Sequence, residues 1–265
     1  MTRYWWRLLA IMVIAVVVAG CQQRSVRPAE AGGEETTGDG GAALVGPSPA
    51  DIYIDLSAAY LQEQNLTEAF KNARKAVSVD PRSSNAYYIL ALVHQRLGQM
   101  KEADESFRKA ISLGPRNAVA LNAYGSFLCG QKKFAEADAY FRRALANPLY
   151  GTPWLASHNA GSCSEMAGDD VQAERDYRAA LRANPGFAPS LLGMAELSFE
   201  SGNYLSARAY LQRYAEVAQH TAESLWLGVR TENQLGDKDQ MASYGLKLRS
   251  LFPDSEQARF LQSIE

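Results

Sequence analysis

The side chains able to do chemistry in this chain are few and far apart: three cysteines, Cys21, Cys129 and Cys163, and three histidines, His94, His158 and His220. A thiol can be acylated, oxidised to a disulfide or ionised to hold a metal. Histidines separated by more than 60 residues offer a metal no local ligand set. The chain contains no His-Glu-x-x-His, no Gly-x-Gly-x-x-Gly, no Gly-x-Ser-x-Gly and no Cys-x-x-Cys. Zinc hydrolysis, dinucleotide binding, serine catalysis and dithiol redox chemistry therefore lose their usual signatures. The expectation is a protein without catalysis, cofactor, metal or small-molecule substrate. A net charge of −2 supplies no cationic excess for phosphate contacts, so nucleic acid is not an expected partner either. What remains is thiol chemistry and surface recognition.

Cys21 sits in a distinctive setting. Arg3 and Arg7 precede an almost wholly apolar run, Leu8 to Gly20, which at thirteen residues is shorter than the ~20 a membrane span needs. A basic start, an apolar middle and small residues before a cut form a secretory signal. The segment Val18-Ala19-Gly20-Cys21 resembles the bacterial lipobox. In that family the cysteine sulfur forms a thioether to a diacylglyceryl group, the signal is cleaved before it, and the new amine is acylated. The resemblance implies residues 1–20 as signal and Cys21 as the site of lipid attachment. An ordinary signal peptide, or an uncleaved anchor, is the alternative. Gln22 follows, and not the Asp that resembles an inner-membrane retention signal, so the implied location is the periplasmic face of the outer membrane. Several acyl chains anchor stably where one would not. Loss of residues 1–20 removes two arginines and no acid, leaving a charge of −4. Residues 21–49 are rich in Gly, Pro, Thr, Ser and acids with no apolar period, and read as a disordered tether. Its r.m.s. span is roughly 30 Å. An acidic binding segment is the other reading.

The elements that must position the other two cysteines are written as a repeat. Starts at Ala50, Ser84, Ala118, Trp154, Ala188 and Ala222 give spacings of 34, 34, 36, 34 and 34 residues. Position 8 of the unit is small and position 20 is Ala in most copies, so that two helices can approach closely. Positions 4, 7, 11 and 24 are mostly large and apolar and fill the space between them. Gly or a polar residue at position 15 turns the chain, and Pro near position 32 ends the second helix. The pattern resembles the tetratricopeptide repeat over residues 50 to about 255. The expected fold is all-α: a right-handed superhelix of six helix-turn-helix repeats. They lie near 50–83, 84–117, 118–153, 154–187, 188–221 and 222–255, with a short C-terminal capping helix from Ser255 to Ile264. Phe260 and Leu261 are expected to cover the last repeat. The last two copies match least well, with Tyr214 at position 27 and Met241 at position 20.

An outer-membrane lipoprotein made of a tether and six such repeats resembles the type IV pilus biogenesis and stability proteins, the PilF/PilW pilotin family. Local phrases agree: Leu121-Asn122-Ala123-Tyr124-Gly125-Ser126-Phe127-Leu128, then Leu149-Tyr150 in the two-residue insertion, and Ala242 to Leu248 followed by Leu251-Phe252-Pro253. The resemblance implies a protein that localises the pilus secretin, helps it multimerise or stabilises fibres. The long acidic tether departs from it. A different envelope scaffold of the same architecture, in outer-membrane protein assembly or another secretion system, is the alternative. An enzyme using repeats as a docking arm would need a domain for which the repeats leave no room.

Two further expectations follow from repeat positions. Cys129 is position 12 of the first helix in repeat three and Cys163 position 10 of the first helix in repeat four. Neighbouring helices in a stack bring them within about half a turn in height. An oxidising periplasm then favours a disulfide, the alternative being two packed thiols. The inner wall of such a solenoid is built by positions 2, 5, 9, 12 and 13, which do not pack within the repeat. Ile54, Ala58, Leu61, Tyr88 and Leu92 make that wall apolar at the amino-terminal end, and are expected to form the partner groove without a folding duty. Asn122, Ser126, His158 and Ser162 make it polar further on. His94, at position 11, is expected to be a packed histidine; His158 lies at position 5 on the inner face, where ligand contact is the minority reading; and Trp226 is a second candidate anchor, set apart from the amino-terminal patch.

Overall fold

The structure, a computed structural model, describes residues 48–262. Cys21, the signal and nearly all of the tether lie outside the described residues. Thirteen α-helices follow one another without a strand among the described residues. Twelve of them pair as α1 (Pro49–Gln62) with α2 (Leu66–Val79), α3 (Ser84–Arg96) with α4 (Met100–Leu113), α5 (Ala118–Gly130) with α6 (Phe134–Leu145), α7 (Pro153–Met166) with α8 (Asp170–Ala183), α9 (Ala188–Glu200) with α10 (Tyr204–Val217) and α11 (Ala222–Leu235) with α12 (Lys238–Leu251). The short α13 (Glu256–Gln262) closes the stack. Each helix packs on its hairpin partner, and the first helix of each pair also meets the first helices before and after it. This is the tetratricopeptide superhelix.

Local chemistry starts the helices. Ser48 caps α1 in a reciprocal capping box with Asp51, so Pro49, placed in the tether by composition, is the first helical residue. Asn65, Ser83, Asn117, Asp169, Thr221 and Asp237 cap their helices through side-chain oxygens. The turn inside every hairpin needs a left-handed residue at position 15. Gly98, Gly168, Gly202 and Gly236 supply it, with φ between 73° and 79°, whereas Gln64 and Lys132 adopt it at 61° and 59°. An L side chain there is strained by roughly 1–2 kcal/mol.

Close approach within a hairpin rests on small residues. Ser57 is fully buried and its hydroxyl donates to the Ala69 carbonyl at 2.8 Å. A Cβ on Gly125 would lie 2.7 Å from the Phe141 ring, and one on Gly161 the same distance from Tyr177. Repeat six shifts this pairing of a small residue with a ring by one position, to Gly228 and Tyr244, where a Cβ would lie 2.7 Å from the ring. Val229 fills position 8 and Gly245 occupies position 24, where a Cβ would meet Leu261 at 3.2 Å. Leu261 and Ala258 of α13 are therefore buried against the last hairpin, but Phe260, expected to cover it too, is 46% exposed. Its ring flanks Trp226, with centroids 6.1 Å apart. Leu56, expected to fill a hairpin, is also exposed at 39%; among the described residues no helix precedes α1 to pack against it. Tyr214, a poor match by sequence, is buried and donates to the Gln219 carbonyl at 3.1 Å.

Candidate functional site

The first helices α1, α3, α5, α7, α9 and α11 lie side by side and carry the expected inner-wall positions. At the amino-terminal end Ile54, Ala58, Leu61 and Leu92 are all half-buried and packed against a core formed by Ala69, Ala73, Ile89 and Val93. The expectation that these side chains have no folding duty is thus corrected. They do not pack within their own hairpin alone; they seal the joint between α1 and α3, leaving only an edge of each to the groove. Tyr88 is likewise half-buried, against the core of repeats two and three. The two-residue insertion explains this. It carries Tyr150 into that core, buried to 9% exposure, while Leu149 beside it stays 89% exposed. Burial, with a second contribution from the nearby Tyr150 phenol, pushes the Tyr88 hydroxyl above its ordinary value. Sequence reading noted the insertion but not that it fills the wall at Tyr88, since loop conformation leaves no periodic trace.

Cys129 and Cys163 are joined in a disulfide, with Cα atoms 5.8 Å apart, inside the range the bond requires. Both are nearly fully buried, and the bridge ties α5 to α7 across the insertion.

The histidines are structural. His94 sits edge-on to Phe70 at 5.4 Å, with Nδ1 2.6 Å from Gln99 Oε1. The His158 ring packs against Tyr177 and Phe187, each 5.4 Å away, with Nδ1 3.1 Å from the Ser190 hydroxyl, so the minority reading of a ligand contact gains no support. Burial lowers its pKa, so it stays neutral. Trp226, the second candidate anchor, is half-buried against the last core cluster.

The carboxyl-terminal half of the wall is acidic, which the residue-type survey passed over. Glu165 of α7, Glu196 and Glu200 of α9 and Glu223 of α11 occupy positions 12, 9, 13 and 2 of their repeats. Tyr177 donates to Glu165 at 2.7 Å, and Arg230 pairs with Glu200 at 3.1 Å while lying over the Phe199 ring at 4.1 Å. Ion pairs with a buried carboxylate and a partly exposed guanidinium join successive repeats: Arg142 grips Asp176 through two bonds of 2.6 and 2.7 Å, and Arg208 grips Glu232. Among the described residues no group of His, Cys, Asp and Glu is placed to hold a metal, and no helix is long and apolar enough to cross a membrane. The arrangement presents a curved wall, apolar edges at one end and carboxylates at the other, suited to holding a chain segment.

Comparison with known proteins agrees with this architecture. Tetratricopeptide repeat family models match residues 50–83, 84–117 and 166–227. The chain is 37% identical over 205 residues to the type IV pilus assembly protein PilF of Pseudomonas aeruginosa, covering 77% of this chain and 81% of that one. The solved structure of Pseudomonas aeruginosa PilF superposes with a TM-score of 0.73 at 36% identity, over 82% of this chain and 97% of that one. The structure of PilW, described as a widely conserved type IV pilus biogenesis factor, gives a TM-score of 0.73 at 33% identity, over 83% and 99%.

Proposed function

This chain belongs to the family of the type IV pilus assembly protein PilF, and from that membership we propose that it is the non-catalytic lipoprotein that brings the pilus secretin to the outer membrane and helps it assemble. The similarity, running through 81% of the relative's length, is the observation that carries this reading. Lipid on Cys21 anchors the chain to the periplasmic face of the outer membrane. Residues 22–47 give the repeats reach, and the wall lined by Ile54, Ala58, Leu61, Tyr88 and Leu92 receives an apolar segment of the secretin. Each of these side chains is only half-buried, so a partner segment removes further apolar surface from water at about 25 cal/mol per Å². No bond is made or broken; the work is capture and placement.

The test is copurification of the secretin from detergent-solubilised membranes, with cell fractionation. Cys21→Ala should leave a folded chain that no longer floats with outer-membrane vesicles. Ala58→Arg keeps the packed β-carbon and adds a long cation at the groove edge, where the stem can lie along the wall with its charge in water. It should abolish secretin capture while helical content stays at the parent level. A Cys21→Ala chain that still floats overturns the anchor. An Ala58→Arg chain that captures secretin and builds pili normally overturns the groove.

A further inference from the structure

A cationic face on α2 lies beside the point where the chain enters the fold. Lys71, Arg74 and Lys75 line a cleft of about 660 Å³ together with Tyr53 and Phe70, and no acid lines it. The Lys75 ammonium sits over the Tyr53 ring at 6.0 Å, and the Arg74 guanidinium over Phe70 at 5.8 Å. Both cations are exposed, and neither pairs with a carboxylate among the described residues. Lys71 has Glu68 at 3.2 Å, on its own helix. Asp51, near the entry, is committed to the backbone and hydroxyl of Ser48. Tyr53 follows Ser48 by only five residues, so Lys75 marks the entry itself. The chain that precedes the described residues has the opposite charge. Residues 28–47 hold Glu30, Glu34, Glu35 and Asp39 and no lysine or arginine. Asp39 and Glu34 precede Ser48 by nine and fourteen residues. Extended, those lengths span roughly 30 and 46 Å, against the roughly 21 Å of α1, so the whole face of α2 is within reach.

We propose that the cleft on α2 is a docking site for the acidic segment of the same chain, residues 30–39, whose carboxylates pair with Lys71, Arg74 and Lys75. One exposed ion pair contributes little by itself. Capture therefore depends on several carboxylates acting together. It depends also on the short connection to Ser48, which holds them near the cleft at a concentration on the order of mM. Docking leaves residues 21–29 as the only free length before the repeats. Nine residues have an r.m.s. span of roughly 17 Å, in place of roughly 30 Å for the undocked tether. Docking thus draws the repeats toward the membrane, and release lets them reach away from it. This consequence rests on the lipid anchor at Cys21; the docking itself does not. None of the inner-wall residues Ile54, Ala58 and Leu61 lines the cleft, so the groove stays free in both states.

Carbodiimide coupling in the full chain, held in neutral detergent and read by peptide mass spectrometry, tests this. The reagent activates a carboxylate, and a lysine amine at bonding distance displaces it to leave an amide. Residues 30–39 should couple to Lys71 and Lys75 within one chain. The yields should be on the order of tenfold above those to Lys132 and Lys238, which are also exposed but belong to later repeats. Arg74→Gln removes an exposed cation that cannot itself couple. It should lower the Lys75 yield roughly twofold to fivefold, where proximity alone would leave it unchanged. Raising the salt from about 0.05 M to about 1 M should lower it as well, because the charges are exposed. Yields at Lys71 and Lys75 no higher than at Lys132 and Lys238, or unmoved by Arg74→Gln and by salt, overturn the docking. Coupling found only between chains of different isotopic label overturns it in favour of a second copy. Phosphatidylglycerol vesicles that abolish the coupling overturn it in favour of anionic lipid. The readout needs neither secretin nor an acylated Cys21, so its failure is distinct from failure of the capture reading.

Discussion

Breaking the bridge between Cys129 and Cys163 tests how much of the stack depends on one covalent joint. The two residues are 34 apart in sequence, so oxidation closes a loop of about that length. In the chain-entropy treatment a loop of this size lowers the unfolded state's entropy enough to stabilise the fold by about 4 kcal/mol. The native side adds little to offset this, since both cysteines are already buried at 6% and 4% exposure on neighbouring helices. The perturbation is the double replacement Cys129→Ala with Cys163→Ala, measured by denaturant unfolding beside the oxidised parent. The midpoint should fall by an amount equivalent to about 3–4 kcal/mol. The loop closed by the bridge contains Tyr150, so amide exchange around 147–153 should rise before that of the flanking helices. Alkylation under native conditions without reductant should leave both thiols unmodified. Two labelled thiols in the folded parent, or a double variant within 1 kcal/mol of it, would refute the reasoning.

Three more outcomes follow from the geometry. Gln64→Gly and Lys132→Gly relieve left-handed strain at φ of 61° and 59°, so each should stabilise by roughly 1 kcal/mol in thermal unfolding, and a loss at either site contradicts the turn assignment. Gly161→Ala sets a Cβ 2.7 Å from the Tyr177 ring and should destabilise by about 1–3 kcal/mol, read by the same assay, with no change expected only if α7 can retreat from α8. Asp176→Ala strips the two bonds that hold Arg142 from the next repeat and should destabilise by about 1–2 kcal/mol, since Arg142 is partly exposed and keeps Asp138 at 2.8 Å, whereas an effect below about 0.5 kcal/mol would mean that the pair is solvated.

The repeat, its phase and its small residues are legible in the sequence because each is a local requirement imposed six times. Position 15 must leave the helical region, and Gly98, Gly168, Gly202 and Gly236 announce it. Position 8 must admit a ring from the second helix, and Gly125 and Gly161 announce that. The placing of Cys129 against Cys163 also follows, since a stack of known period converts sequence offset into height. Tertiary structure decided what no period encodes. Tyr150 leaves a loop to fill the wall beside Tyr88, and a loop's path depends on the surface it lands on. Ile54 and Leu61 prove to be sealants between repeats because α3 packs directly against α1. The swap of Val229 for Gly245 works only because Leu261 arrives from beyond the last hairpin. Glu196 reads as an ordinary solvated acid, yet the stack half-buries it, and burial first, then the charges of Glu165, Glu200 and Glu223, push it up to about 7. Charge is written in the sequence, but the distance between charges, and the water left between them, belongs to the fold.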